Sequence, residues 1–107
     1  MPQEDRRIIF SNEEVYQALY TLRDQKGMKM LPAGEIMTSG VDPVDSNNMF
    51  FILENRVEHT HSKIEHNQDF VAAALMVFCR GSGIPLPKSA RKSVMIKEGV
   101  VILRVQI

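Results

Sequence analysis

The sequence lacks several features from which the chemistry of a protein is usually identified. It contains no tryptophan, and its single cysteine, Cys79, excludes a disulfide within the chain. The longest apolar run, residues 70–79, has ten residues, whereas a membrane-spanning helix needs ~18 or more. The first residues contain no apolar segment of the kind that a secretory signal requires. These absences predict a soluble protein of a reducing compartment, and we expect it in the cytoplasm.

Acidic residues are scarce in the last quarter of the chain. Residues 80–107 contain six Lys or Arg and one acid, Glu98, whereas residues 1–79 contain seven Lys or Arg and twelve Asp or Glu. The zero net charge therefore separates into −5 followed by +5. In a domain of this length the two poles lie further apart than the Debye length of ~8 Å, so they do not cancel locally. We expect the C-terminal segment to present a basic surface, which predicts an acidic partner.

A helix is predicted over residues 12–26. Ser11 lies three residues before Glu14, which is the spacing of a capping box, and Gly27 follows as a residue that can end a helix in the left-handed conformation. Apolar side chains recur between these signals at helical spacing, at Val15, Ala18, Leu19 and Leu22. The pattern indicates an amphipathic helix with one face in the core.

Two strands are predicted in the middle of the chain. Residues 35–38 form a short candidate, and residues 49–53 form a continuous apolar run typical of an interior strand buried on both faces. Residues 40–48 between them are rich in turn formers and are predicted to be a loop. Residues 55–66 leave two alternatives open, an extension of the second strand or an early start of the next helix. The polar residues 1–6 are expected to be disordered.

A second helix is predicted to begin near Asn67, which can cap it, and to end at Gly81 and Pro85. Residues 70–79 within it are apolar on every side, and such a helix must be covered on every side. Either this helix lies at the centre of the domain, or its outer stripe is an interface between two copies. We therefore expect a homodimer.

The last fifteen residues are predicted to form a β-hairpin with its turn at Glu98-Gly99. In this register Met95 faces Ile102 and Ser93 faces Arg104. Alternation assigns to the core Val94, Ile96, Val101, Leu103, Val105 and Ile107. The other face mixes cations with apolar side chains: Arg91, Met95, Lys97, Val100, Ile102 and Arg104.

Together these elements predict an α+β fold in one domain, residues 1–107. Two helices pack on one face of an antiparallel sheet of about four strands, in the order α-β-β-α-β-β. No internal repeat is visible in the sequence.

Three histidines, His59, His61 and His66, are candidate metal ligands, because alternate residues of a strand project from the same face. Their alternative role is a polar, exposed segment, which we favour, so no metal or other cofactor is predicted. The Gly81-Ser82-Gly83 triplet follows a helix end, where the dipole repels phosphate. No nucleophile elbow is present, and Cys79 lies in an apolar stretch where a thiol is inert. The sequence therefore predicts a protein that is not an enzyme.

The basic hairpin is the predicted partner-binding surface of a small protein-interaction or regulatory domain. Its predicted residues are Arg91, Lys92, Met95, Lys97, Val100, Ile102 and Arg104. The partner is expected to be an acidic protein surface or a second copy of the chain. A nucleic-acid module that contacts phosphates is the first alternative, although all seven aromatic residues precede the basic segment and base stacking is therefore not expected. A small metal-binding protein that uses the three histidines is the second.

The segment from Ile84 to Val94, with the hairpin after it, resembles the C-terminal end of short bacterial proteins of unknown function. The resemblance covers 24 of the 107 residues. It implies a bacterial source and carries no activity.

Overall fold

The computed structural model describes residues 3–107 and contains six strands and two helices. In chain order these are β1 (Asp5–Phe10), α1 (Asn12–Gln25), β2 (Glu35–Val41), β3 (Asn48–Asn55), β4 (Thr60–Asn67), α2 (Gln68–Gly81), β5 (Arg91–Lys97) and β6 (Val100–Gln106). The predicted α+β class with antiparallel strands and two helices is confirmed. The predicted order is incomplete, because a strand precedes each helix.

The strands form two sheets of three rather than one sheet of four. Sheet A has the order β1-β6-β5, and sheet B has the order β2-β3-β4, with every neighbouring pair antiparallel. The edge strands β2 and β5 lie against each other. The predicted single sheet of about four strands is matched only in part, because β1 and β4, which the prediction lacked, each complete a separate three-stranded sheet.

The two additional strands are β1 and β4. β1 includes residues that were predicted to be disordered, and β4 lies in the stretch for which two alternatives were left open. Residues 1–6 were expected to be disordered, but Asp5 and Arg6 belong to β1; Met1 and Pro2 lie outside the described residues. In the ambiguous stretch 55–66, residues 56–59 form a turn and β4 begins at Thr60. Only Ile64 in β4 is buried, so this strand has little of the apolar alternation that identifies a strand.

The chain contains a structural repeat that the sequence did not reveal. The unit strand–helix–strand–strand occurs twice, and α1 and β2 recur as α2 and β5 at a constant separation of 56 residues. The connection before the last strand has six residues in the first repeat (42–47) and two in the second (98–99). The first strand of each repeat pairs with the hairpin of the other, so β1 lies beside β6 and β4 beside β3. The repeat is one of architecture, and no corresponding repeat is visible in the amino-acid sequence.

Both helices begin and end by the same physical devices. Ser11 and Glu14 form the predicted capping box, and at the equivalent position Asn67 accepts a hydrogen bond from the Phe70 N–H at 2.8 Å. Beyond the two helices, Gly27 and Gly83 have φ of 67° and 74°, a conformation that costs other residues about 1–2 kcal/mol. The α1 prediction of 12–26 is confirmed to within one residue.

The helices pack against each other, and the inner faces of both sheets enclose them in one apolar core. Equivalent positions of the two helices are fully buried: Val15 and Val71, Ala18 and Ala74, Leu19 and Leu75. The outer side of α2 is only partly covered, at Ala72, Ala73, Met76 and Val77. The helix that is apolar all round is thus buried along one face by α1, β4 and β5 and half-buried elsewhere.

The C-terminal hairpin has the predicted register, with Lys97 opposite Val100, Met95 opposite Ile102 and Ser93 opposite Arg104. Positive φ at both Glu98 and Gly99 identifies the two-residue turn typical of such hairpins. The inward side chains are buried as predicted, except that Ile96 is half-buried and Ile107 is 52% exposed. β3 is the central strand of sheet B as predicted, but only one of its faces is fully buried.

Candidate functional site: the basic face of sheet A

The surface of sheet A that points away from the helices is built by strand alternation. Residues directly opposite each other in antiparallel strands share a face, so the registers of β1, β6 and β5 fix its composition. We call this surface the basic face. It consists of Asp5, Arg7, Ile9, Arg91, Ser93, Met95, Lys97, Val100, Ile102, Arg104 and Gln106.

Six of the seven predicted partner-binding residues lie together on this face; the exception is Lys92. Lys92 is opposite Val105, on the inner side of the hairpin, and its Nζ donates to the Ala90 carbonyl at 3.1 Å. Its half-buried ammonium is therefore engaged at the sheet margin. Lys92 was predicted to act with Arg91, Lys97 and Arg104 as a cation of the binding surface, whereas the two-residue period of a strand sends Lys92 to the side opposite Arg91.

Strand β1 supplies three residues of the basic face that the sequence prediction missed. Asp5 is opposite Gln106, Arg7 opposite Arg104 and Ile9 opposite Ile102. A signal for this strand was present, because two isoleucines and Phe10 directly precede the capping box. Alternation within this run would have placed Arg7 and Ile9 on one face.

An apolar row crosses the basic face and is partly open to solvent. Ile9, Ile102 and Met95 follow one another across three strands, and Val100 lies beside them in β6. The exposed fraction is 68% for Ile9 and 39% for Val100, whereas Ile102 between its neighbours retains 9%. Ile102 does not belong to the main core, so its burial comes from this outer row. An apolar row with a cationic rim is typical of a surface that contacts another macromolecule.

The charges on the basic face are mostly unpaired. Arg104 donates two hydrogen bonds to Asp5, from Nε to Oδ1 at 3.0 Å and from Nη2 to Oδ2 at 2.7 Å. This pairing lowers the pKa of Asp5 and raises the pKa of Arg104. Among the described residues, Arg7, Arg91 and Lys97 form no ion pair and no side-chain hydrogen bond. With four cations and one carboxylate the face has a net charge of +3.

The corresponding surface of sheet B has the opposite charge. We call it the acidic face, and it consists of Glu35, Thr38, Gly40, Asn48, Phe50, Ile52, Glu54, His61, Lys63 and Glu65. Three carboxylates against one lysine give these strand residues a net charge of −2 with histidine counted as neutral. Arg56, in the turn after β3, pairs with Glu54 and offsets part of this charge. Half-buried Phe50 and Ile52 form its apolar centre.

The polar contacts of the acidic face are partly to largely exposed to solvent, and Glu54 is the least exposed of their members at 28%. Lys63 lies 3.3 Å from Glu65 and 5.3 Å from the centre of the Phe50 ring. Glu54 lies 3.4 Å from both His61 and Arg56. Exposed pairs of this kind contribute only ~0–1 kcal/mol, so a partner that offers new cations can replace them at little cost.

The structure separates the three candidate metal ligands. His59 lies in the turn with a positive φ of 54°, His61 is on the acidic face, and His66 is on the opposite side of the same strand. Within residues 3–107, no three His, Cys, Asp or Glu side chains are grouped so that they could hold a metal ion. His66 instead stacks on Phe70, with ring centres 4.1 Å apart, and its Nε2 lies 3.1 Å from Nη1 of Arg23.

Burial and the neighbouring Arg23 weaken proton binding by the His66 ring. Half-burial, and secondly the guanidinium of Arg23, lower the pKa of His66 to about 4. The neutral ring therefore accepts the hydrogen bond from Arg23 at neutral pH. This arrangement connects α1 to the last residues of β4.

Cys79 and the Gly81-Ser82-Gly83 triplet, which were also considered from the sequence, have structural roles. Cys79 is fully buried, which raises the pKa of its thiol and keeps it unreactive. In the Gly81-Ser82-Gly83 triplet, the N–H of Ser82 donates to the Phe78 carbonyl at 3.0 Å and that of Gly83 to the Arg80 carbonyl at 3.3 Å. These donors end the helix and do not point outward toward an anion.

A groove of about 560 Å³ lies between the first turn of α1 and β2. Its lining residues are Asn12, Glu13, Tyr16, Gly34, Glu35, Ile36 and Met37. The Tyr16 hydroxyl donates to the Pro32 carbonyl at 3.1 Å and so holds the loop before β2 against the helix. The groove therefore marks where this loop crosses α1.

Comparison with known proteins does not indicate what these surfaces bind. No protein-family model, curated protein sequence or solved structure matches the chain. Within residues 3–107, neither helix has the length and apolar character needed to cross a membrane.

Proposed function

We propose that this chain is a non-enzymatic protein-interaction module that binds an acidic protein surface through its basic face. One observation supports this role above the others: three unpaired cations, Arg7, Arg91 and Lys97, surround an apolar row that is partly open to solvent. The apolar row supplies contact area, and the cations supply attraction and orientation. We place this activity in the cytoplasm, with the chain acting as a homodimer.

A protein partner fits the basic face better than a nucleic acid. None of the residues on this face is aromatic, so it offers no platform on which bases could stack. A phosphate backbone would also leave Ile9 and Val100 without an apolar contact. An acidic protein surface can satisfy both the charges and the apolar row.

Charge reversal with a matched control tests this proposal. The variant Arg91→Glu/Lys97→Glu reverses two unpaired cations of the basic face, whereas Arg80→Glu/Lys88→Glu makes the same change in net charge at two exposed positions outside it. The probes are a fluorescent poly-L-glutamate peptide and a single-stranded RNA of equal charge. Both are titrated over a series of salt concentrations while fluorescence anisotropy is measured.

We expect the peptide to bind the parent chain and the control with similar affinity, and to bind the basic-face variant at least about tenfold more weakly. Binding of the RNA in preference to the peptide, with a steep salt dependence, would contradict the proposal and favour the nucleic-acid alternative. Equal loss in both variants would show that net charge, rather than this face, governs binding.

A further inference from the structure

We propose that the acidic partner of the basic face is the acidic face of a second copy of this chain, an inference that rests on the function proposed above. The two faces occupy equivalent positions in the repeat, since β1, β6 and β5 of sheet A correspond to β4, β3 and β2 of sheet B. Each is the outer surface of a three-stranded antiparallel sheet. They therefore have similar size and the same hand of twist.

The charges of the two faces are complementary. The basic face carries +3 and the acidic face −2, with histidine counted as neutral. Arg7 and Glu65 lie on the outer edge strands β1 and β4, and Arg91, Lys97 and Glu35 lie on β5 and β2, the strands at which the two sheets adjoin. Contact between the two faces gives the unpaired cations carboxylate partners.

The apolar centres also correspond. Ile102 in the middle of the basic face and Phe50 in the middle of the acidic face are equivalent residues of the two central strands. The distal end of the Phe50 ring packs so closely on Gly40 that an added Cβ would lie 2.5 Å from its Cζ. This glycine therefore provides the space that the Phe50 ring occupies on the acidic face.

A two-fold rotation allows both contacts to form at once. The sheets adjoin at β2 and β5, and their inner faces enclose the same helix pair. Turning one copy over about an axis parallel to these strands places each basic face on the partner's acidic face. The contact closes on itself and produces a dimer rather than a filament.

The area available is sufficient for a stable dimer. Three strands ~4.8 Å apart and seven residues long cover roughly 300 Å². Two such contacts, counted on both partners, bury on the order of 1,200–1,300 Å², which reaches the range of specific interfaces.

The test uses two oppositely reversed variants of the full chain. Arg91→Glu/Lys97→Glu makes both faces acidic, and Glu35→Lys/Glu65→Lys makes both faces basic. Light scattering and sedimentation at ~100 µM measure mass, with the control Arg80→Glu/Lys88→Glu in parallel. Each variant is expected to fold, because exposed charges contribute only a small part of the stability. Circular dichroism melts check that it does.

We expect the parent chain and the control to have twice the monomer mass of 12.2 kDa. Each face variant alone is expected to be monomeric, and an equimolar mixture of the two is expected to recover the dimer mass, because both contacts are again complementary. A monomeric parent chain, or a dimer that survives both reversals, overturns the inference. A mixture that grows beyond two chains overturns the closed two-fold arrangement.

Binding of the glutamate peptide distinguishes failure of the self-pairing from failure of the proposed function. The Glu35→Lys/Glu65→Lys variant has a free basic face and should bind the peptide more tightly than the dimeric parent chain. A monomeric parent that binds the peptide through its basic face retains the proposed function and loses only the self-pairing. Absence of peptide binding even to this variant overturns both.

Discussion

The two repeats of this chain have the same backbone plan but differ in side chains and loops. Each consists of a strand, a capped helix of 14 residues and a hairpin. At equivalent inner positions both have Val, Ala and Leu, at Val15 and Val71, Ala18 and Ala74, and Leu19 and Leu75. On the outer faces, lysine and arginine dominate one sheet and glutamate the other. The two repeats therefore share residues at these buried positions, whereas their solvent-facing positions differ in charge.

The exchange of first strands makes the two repeats interdependent. Within residues 3–107, β1 of the first repeat pairs only with β6 of the second, and β4 of the second only with β3 of the first. Neither repeat alone contains a complete three-stranded sheet. We therefore expect the two halves to unfold as one unit.

The largest expected effect comes from removing the central strand of sheet A. Deletion of residues 101–107 removes Val101, Leu103 and Val105, which retain at most 2% exposure, and leaves β1 without a partner. Each such side chain contributes about 1.5–3 kcal/mol, and a domain of this size has only ~5–15 kcal/mol of stability. We expect no cooperative thermal transition by circular dichroism. A truncated chain in which the first repeat melts cooperatively on its own would contradict the interdependence.

A smaller effect is expected from equivalent core truncations. Leu19→Ala and Leu75→Ala each remove a fully buried side chain from the helix pair, and each should lower the free energy of unfolding by about 2–5 kcal/mol. If the repeats are structurally equivalent, the two losses should agree within about 1 kcal/mol. Denaturant titration measures both, and Gln17→Ala, an exposed position whose counterpart is Ala73, serves as the control with a change within about 0.5 kcal/mol.

The smallest effect concerns His66, which occupies the position equivalent to Phe10. Its pKa is lowered to about 4 in the folded chain, from an ordinary value of 6.5. The unfolded chain therefore binds more protons between these values, and the contribution of His66 is complete above pH 6.5 and decreases as the pH falls toward 4. Since the ring is only half-buried, we expect a loss of about 1–2 kcal/mol over this window.

The variant His66→Phe, which copies Phe10, tests this pH dependence. Its unfolding free energy should change less between pH 6.5 and 4 than that of the parent chain. Urea titrations at several pH values measure both proteins. An equal pH dependence in the two would assign it to other groups.

The sequence was informative where local signals coincide with packing. The capping box at Ser11 and the Glu98-Gly99 turn predicted α1 and the hairpin register because each is set by a few neighbouring residues. β4 was not predictable in the same way, since its outer residues are charged and only Ile64 is buried. Its pairing with β3 depends on tertiary contacts and not on a local sequence pattern.

The candidate site was partly predictable for the same reason. Alternation within the hairpin identified six residues of the basic face, but the contribution of β1 depends on a pairing between the two ends of the chain, about 100 residues apart. An acidic pole within residues 1–79 was expected from the charge distribution, but the residues of the acidic face were not predicted. This face is formed by three strands whose arrangement follows from the exchange between repeats.

The pairing of β1 with β6 also brings the two ends of the described chain together. Asp5 is opposite Gln106, and the Ile107 N–H donates to the Glu4 carbonyl at 2.9 Å. In the repeat, this junction corresponds to the turn between β3 and β4, where Val57 is 90% exposed. The fold therefore has two equivalent junctions between a central strand and a first strand. At one of them the turn of residues 56–59 joins β3 to β4, and at the other the ends of the described chain, in β6 and β1, lie side by side. A short link between the ends and a cut after Val57 would give a circular permutant with the same contacts, in which the second repeat is synthesised first.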